Sequence, residues 1–378
     1  MDAQLAGGRG QHAVGPGEIM TGRRGLGSRL GPLALASVAS LVLVACTTST
    51  PSGPAPAHPG STASTVPTAR HRAAPTGTAA KVGTVTAAVP GRLLPAPAAL
   101  VPYGTTGAPG TWRPAGRPVR GIRVVYETTL VPPGGTAPAG IAWLDTGLLS
   151  ARLYSGSVSP GGGPYRYTAP VAPAQAATLV AAFNGGFKMN QARGGYYTEG
   201  RVIDPLRTGA ASLVIYADGS VDVGAWGRDV TMTPQVVSLR QNLLPLVAGG
   251  RPTPQAASRH WQAWGSTCGA TSCLATVPGI EHQWRSGLGI TADGALVYAA
   301  GPALDPLQLA QLLVRAGAVR GMQLDINPNW PVFVTYDPAP GAPAAPANGS
   351  KLLAGTAQGP RTFFEATWAR DFITMSAR

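Results

Sequence analysis

The sequence predicts an α+β fold: a strand-rich mixed sheet domain with a few helices, preceded by a disordered tether. Three observations lead there. Short alternating runs of β-branched and aromatic residues recur around Asp-Gly turns. Only two stretches carry helix signals, so strands and helices do not alternate as they would in a βαβ chain. The composition also changes near Pro90, from Thr, Ser, Pro, Ala and Gly to a mixture able to build a core.

The N-terminal stretch reads as an export leader. Arg23, Arg24 and Arg29 precede an apolar run from Leu30 to Val44, which closes in Leu43-Val44-Ala45-Cys46. A basic region, an apolar region and small residues before a cut are the parts of a signal peptide, and the run is too short for a comfortable membrane span. The Leu-x-Ala-Cys form is similar to a bacterial lipobox. That resemblance implies lipidation of Cys46 and cleavage just before it, so that residues 1–45 are a lipoprotein signal peptide; Met20 offers an alternative start. An ordinary signal peptide with an incidental cysteine is the simpler alternative. The Arg23-Arg24 pair raises twin-arginine export, but its flanking residues match poorly.

Residues 46–118 then form the lipidated end and a Pro/Ala/Thr/Ser-rich tether. From Thr47 to about Pro90 there are almost no large apolar residues, so no core can form. The transitional stretch Gly91 to Pro118 contains LLPAPAALVPYG, whose apolar residues are available to dock on the folded body.

That body, residues 119–378, is read element by element. GIRVVYETTLV (Gly121 to Val131) alternates as a strand. GIAWLDTGLLSARLYSG (Gly140 to Gly156) reads as two strands turning at Asp145-Thr146-Gly147. A short helix candidate, Pro170 to Thr178, feeds the apolar strand LVAAF. Ala211 to Gly227 and Gly287 to Gly301 are hairpins around Asp218-Gly219 and Asp293-Gly294. Asp305 to Ala318 is the clearest helix, with Asp305 as its cap, Pro306 in the first position and Gly317 at the end. Met322 to Asn327 follows as a strand, and TFFEATW and RDFITMS close the chain.

Bulk properties narrow the function classes. Of 378 residues 44% are hydrophobic and 12% charged, with 51 glycines and 37 prolines, which suits a loop-rich core of strands. The formal charge is +13, yet the Lys and Arg residues form no block interleaved with aromatics, so nucleic acid is not a predicted partner. An anionic membrane surface or envelope polymer suits the charge better. Cys268 and Cys273, separated by Gly-Ala-Thr-Ser, read as a small structural disulfide in an exported chain. Their spacing is wider than a redox Cys-x-x-Cys, and no second Cys or His pair stands at zinc-ligand spacing. No dinucleotide or P-loop glycine pattern is present, and no metal site is predicted.

Candidate chemistry lies at strand ends. In LVAAFNGGFKM (Leu179 to Met189), Asn184 follows a buried-looking run and precedes Gly185 and Gly186, whose backbone lets another group approach closely. A tight turn is the plain alternative. Asp325 ends a central strand, with Asn327 and Trp330 close behind; a turn cap is its alternative. Arg285 stands at the head of the Gly287–Gly301 hairpin, where a fixed guanidinium suits a phosphate or a salt bridge. Glu199, in YYTEGRV, is a further carboxylate.

The order of these features resembles the phosphodiester glycosidase family, over about Val119 to the C-terminus. The features are Asn-Gly-Gly-aromatic, an Asp-Gly hairpin, Arg before Gly-x-Gly-Ile-Thr-x-Asp-Gly, the LDPLQLAQLLVRAGA helix and a strand ending in Leu-Asp. The resemblance implies a hydrolase that cleaves a sugar 1-phosphodiester at the anomeric bond. Under it, Asp325, with Glu199 second, supplies carboxylate chemistry, and Asn184 binds substrate or orients Asp325. Arg285 and the amides of Gly185 and Gly186 hold the phosphate. No cofactor is implied; a divalent cation between Asp325 and a phosphate is chemically reasonable, though no ligand spacing supports it. The family typically continues Leu-Asp with Gly-Gly-Gly-Ser, whereas Leu324-Asp325 here continues Ile326-Asn327-Pro328-Asn329-Trp330. Asn amides and a Trp face suit a sugar better than a bare anion. The expected setting is the outer face of the bacterial cell membrane, held by the lipid anchor, with a glycan or sugar-phosphate as substrate. The alternative is a non-catalytic, glycan-binding envelope lipoprotein on the same fold.

Overall fold

Three antiparallel sheets carry the structure, a computed structural model that describes residues 84–100, 110–258, 261–265 and 281–378. The leader, Cys46, Cys268, Cys273 and the tether up to residue 83 lie outside the described residues.

The first sheet has eight strands. In chain order they are β1 (Arg113–Ala115), β2 (Val125–Leu130), β3 (Ala139–Leu144), β11 (Pro245–Ala248), β12 (Arg251–Pro252), β13 (Gln283–Thr291), β14 (Leu296–Leu304) and β15 (Ala318–Gln323). They lie side by side as β1-β2-β3-β14-β13-β15-β11-β12. The second sheet runs β7-β6-β10-β8-β9, from β6 (Tyr196–Thr198), β7 (Arg201–Asp204), β8 (Ala211–Tyr216), β9 (Val221–Ala225) and β10 (Val236–Gln241). The third runs β17-β16-β5-β18-β4, from β4 (Leu149–Tyr154), β5 (Leu179–Asn184), β16 (Phe333–Tyr336), β17 (Gly349–Lys351) and β18 (Phe372–Ala377). Among the described residues four α-helices join them: α1 (Pro173–Ala176), α2 (Met189–Ala192), α3 (Pro254–Ala257) and α4 (Pro306–Arg315).

The expected mixed sheet is corrected. Every ladder between these strands is antiparallel, and parallel pairing is confined to the isolated bridges Ser155–Thr168 and Trp226–Val230. The reason lies in the connection through α4. It carries the chain from β14 across to β15, but β13 already stands between them and pairs with both. The two parallel strands therefore never become neighbours.

Both Asp-Gly hairpins form, as β8–β9 and β13–β14, with Gly219 and Gly294 in the left-handed region at φ 76° and 91°. The two strands around Asp145-Thr146-Gly147 also form, but not as a hairpin. β3 joins the first sheet and β4 the third, so this turn steps between layers. Asp145 is fully buried there; its Oδ1 accepts from the amides of Gly147 (2.8 Å) and Leu148 (3.2 Å), and its Oδ2 accepts from Leu94 N (3.0 Å). That last bond ties the segment upstream of β1 onto the body, and Leu94 and Leu100 are buried in the same cluster as Trp143 and Leu309.

The largest core cluster draws Val125, Leu149, Phe183, Leu213, Leu288 and Met375 from all three sheets. α4 covers the first sheet. Its Leu309 and Leu313 rest where Gly287 and Gly321 leave the sheet bare; a Cβ at those positions would meet them at 3.1 and 3.2 Å. The helix begins in a capping box: Asp305 Oδ1 accepts from Gln308 N (2.6 Å), and Gln308 Oε1 accepts from Asp305 N (3.0 Å). Asp305→Ala should lower stability by about 1 kcal/mol, the usual worth of a lost cap, read as a shift of the urea midpoint with an unchanged slope.

Candidate functional site

β5 is the centre of the third sheet, flanked by β16 and β18 and buried along its whole length. Asn184 ends it. The Asn184 side chain uses all its hydrogen-bonding capacity on protein. Its Nδ2 donates to Gly185 O (2.8 Å) and to Ser286 Oγ (3.0 Å). Its Oδ1 accepts from Tyr298 OH (2.8 Å) and Val332 N (3.0 Å). Because Ser286 and Tyr298 stand on β13 and β14, this amide joins the third sheet to the first.

Ser286 passes the connection to Asp325. Its Oγ accepts from Asp325 N (3.1 Å) and donates to Asp325 O (3.2 Å), while Ser286 N also donates to Asp325 O (2.8 Å). β15 stops at Gln323, so Asp325 lies just past the strand end rather than within it. The residue is 3% exposed. Oδ1 accepts from the amides of Ile326 (2.8 Å) and Asn327 (3.0 Å), and Oδ2 accepts from Arg370 Nη2 (2.8 Å). Burial pushes the Asp325 carboxyl up to about 6. Arg370 and the two amides pull it down, and the nearby charge of Asp371 pushes it up again.

Arg370 and Asp371 stand immediately before β18 and complete the cluster. Arg370 also donates to Gly186 O (2.5 Å), and its guanidinium lies 5.1 Å from the Trp330 ring centroid. Its Nε is buried and has no partner among the described residues. Asp371 is fully buried and paired with Arg240 (Nε to Oδ2, 2.8 Å). Arg240 in turn donates to Gln241 O (2.5 Å) and to Phe187 O.

Gly185 and Gly186 are explained by this packing. A Cβ on Gly185 would lie 2.1 Å from Asp371 Oδ2, and one on Gly186 would lie 2.7 Å from Asn242 Oδ1. The Gly185 amide already donates to Asp371 O (2.9 Å). The two glycines make room for a buried carboxylate and a buried amide.

Arg285 does not present its guanidinium to a ligand. Nε donates to Leu304 O (2.6 Å), Nη1 to Trp264 O (3.2 Å) and Gln323 Oε1 (2.9 Å), and Nη2 to Glu281 O (2.8 Å). Burial lowers it to about 10, so it remains charged at neutral pH while binding loop carbonyls. Glu199 occupies a two-residue turn between β6 and β7, exposed and left-handed at φ 52°. Its Oε1 accepts from the amides of Arg166 (2.8 Å) and Tyr167 (3.2 Å). Asn327 is exposed, with Oδ1 accepting from Asn329 N (3.0 Å). Trp330 is half-buried, its ring edge-on to Trp368 at 5.3 Å.

The structure thus gathers Asn184, Gly185, Gly186, Asp325 and Trp330, and leaves Arg285 and Glu199 engaged elsewhere. It adds Arg370, Asp371, Ser286 and Arg240. One signal for the first two was present in the sequence: WARDFITMS sets two opposite charges against an apolar alternating strand, in a chain only 12% charged. Among the described residues, no three His, Cys, Asp or Glu side chains are grouped to hold a metal ion. No described helix is long and apolar enough to cross a membrane.

The chain matches no family model and no curated protein. Among solved structures it is similar to the catalytic domain of zebrafish N-acetylglucosamine-1-phosphodiester alpha-N-acetylglucosaminidase, auto-inhibited by its pro-peptide. Identity is 16%, covering 70% of this chain and 87% of that one, with a TM-score of 0.40. A hypothetical protein from Synechocystis matches at 11% identity over 70% of this chain and 64% of its own, with a TM-score of 0.36. A putative exported protein from Burkholderia pseudomallei matches at 12% identity over 63% and 74%, with a TM-score of 0.29.

The raised Asp325 value fixes the sign of a pH effect. A carboxyl near 6 when folded, against an ordinary 3.8, binds its proton more tightly in the native state. Its favourable contribution is complete below about pH 4 and is lost as pH rises through 6, amounting to about 3 kcal/mol at most. The melting temperature of the wild type should therefore fall relative to Asp325→Asn between pH 4 and pH 7. A relative rise over that range would mean that Arg370 outweighs burial.

Proposed function

We propose that the chain is an exported, membrane-anchored hydrolase that cleaves a sugar 1-phosphodiester, in an envelope glycan, at the anomeric bond. The observation that carries this reading is the Asp325–Arg370 pair. A carboxyl poised near 6 shares a guanidinium that has a nitrogen left over, beside an indole face.

The geometry divides the work as follows. The phosphodiester anion competes with Asp325 for Arg370, a fork suited to phosphate oxygens. As Arg370 turns to the phosphate, Asp325 Oδ2 is freed to act on the anomeric carbon or on a water aimed at it. A phosphate monoester leaves readily, so the ionised carboxylate rather than its acid form is the working state. Asn184 and Ser286 hold the Asp325 backbone and so act as positioning residues. Trp330 and Asn327 offer a ring face and an amide to the sugar. Arg285 supports the site from the side, by binding the Trp264 and Glu281 carbonyls.

One observation favours a second reading, a glycan-binding lipoprotein without turnover. Both Asp325 oxygens are already engaged, and the residue is 3% exposed.

Hydrolysis of a sugar 1-phosphodiester by the purified chain separates the two. Turnover should rise with pH through about 6, and Asp325→Asn should lower kcat by about 10²–10⁴-fold. Equal turnover by both proteins removes Asp325 from the reaction, and glycan binding without turnover by the wild type establishes the second reading. For the anchor, Cys46→Ala should move the protein from the membrane to the soluble fraction on cell fractionation; retention in the membrane overturns the lipid anchor.

A further inference from the structure

A second group of side chains lies beside the candidate site. The Tyr167 ring carries two guanidinium groups: Arg152 Cζ stands 4.1 Å and Arg166 Cζ 5.3 Å from its centroid. Arg201 stands 5.2 Å from the Tyr165 ring. All three arginines are exposed, and both tyrosines are half-buried. The acidic neighbours are Glu199 and Asp204. Glu199 has one oxygen committed to the amides of Arg166 and Tyr167, and neither carboxylate forms a salt bridge with the three arginines among the described residues.

The patch is built rather than loose. Glu199 sits in the left-handed region, φ 52°, next to Gly200 at 75°. A glutamate adopts that conformation at a cost, and there its carboxylate reaches across to the 166–167 backbone. Arg201 adds bonds to Gly162 O (3.2 Å) and Pro164 O (3.0 Å). The other end of the same loop is laced to the candidate site: Ser157 N donates to Trp368 O (2.9 Å), and Val158 N and Ser159 N donate to Ala369 O (3.2 and 2.9 Å). Arg370, which pairs with Asp325, is the next residue. Tyr167 and Trp330 pack against the same buried cluster, which contains Tyr154, Trp368 and Phe372.

The geometry points to this patch as a second subsite, one that takes the neighbouring repeat of a phosphate-bearing glycan. Tyrosine rings pack against sugar or polyol carbons, and exposed guanidinium forks donate to phosphate oxygens. Two cations gathered on one ring repel each other until an anion sits between them. The inference deepens the proposed function by making its substrate a polymer rather than a small glycosyl phosphodiester.

The test measures binding, apart from turnover. Full-length protein is titrated with poly(glycerol phosphate), with neutral dextran and with a dT oligonucleotide at low salt. The expected result is binding of the phosphate polymer that weakens at least tenfold in Arg152→Ala/Arg166→Ala and weakens as salt is raised. Dextran should bind poorly, and the melting temperature should stay unchanged. Tyr167→Leu, which keeps the charges, should lose affinity as well. An unchanged Kd in the double variant, equal capture of dextran, or tighter binding of the oligonucleotide overturns the proposal. Hydrolysis of a small sugar 1-phosphodiester should be the same in wild type and double variant. If that hydrolysis is absent while polymer binding behaves as expected, the catalytic reading fails and the subsite stands. If hydrolysis occurs while the double variant binds normally, the reverse holds.

Discussion

The side-chain amide of Asn184 is the joint on which the site depends. It lies at the end of the central strand of the third sheet, with two donors and two acceptor positions, and all four are used. Two of those bonds reach side chains of the first sheet, Ser286 and Tyr298, and a third holds the backbone at Val332, ahead of β16. No other residue type of that size offers both donors and acceptors in one plane. An aspartate would have no donor for Ser286 and Gly185; a leucine would strip Gly185 O, Tyr298 OH and Val332 N of this partner, and each buried polar group left unpaired costs on the order of 1–3 kcal/mol.

From that joint the rest of the polar centre follows. Ser286 fixes the Asp325 backbone, and Asp325 meets Arg370. Asp371 meets Arg240 on the other side of Gly185, which has no side chain because that carboxylate lies there. Two buried ion pairs so close together are a poor source of net stability, since desolvation consumes most of their attraction. They do set the charge of the site. Asp371 and burial hold Asp325 near 6, while Arg370 keeps it from rising further. A carboxyl in that range is ionised at neutral pH yet close enough to its titration to exchange a proton, which makes it useful for chemistry.

Exposed groups extend the same theme. Glu199 is a candidate for the second carboxylate because the resemblance implies one and YYTEGRV supplies a carboxylate near Arg201. In the folded chain its left-handed backbone and its two amide bonds buttress a loop that carries arginines stacked on tyrosines. Arg152, Arg166 and Arg201 are thereby gathered around that loop, whose other end bonds to the Trp368 and Ala369 carbonyls.

Local chemistry was legible in the sequence. The Asp-Gly hairpins, the Asp305 cap, the buried run before Asn184 and the polar Asp325 two residues past a strand end all depend on residues a few positions apart, and all are present. Partnership was not legible. Arg370 meets Asp325 across 45 residues and Gly186 across 184; β3 and β4, adjacent in the chain, part into different sheets. Arg285, expected to face a ligand, is turned to loop carbonyls instead. The physical reason is that a buried polar group must find its partner somewhere, and antiparallel register over long loops decides where. The sequence by itself determined which residues would be strands, caps and buried polar ends. The tertiary structure alone decided which charge each of them would meet.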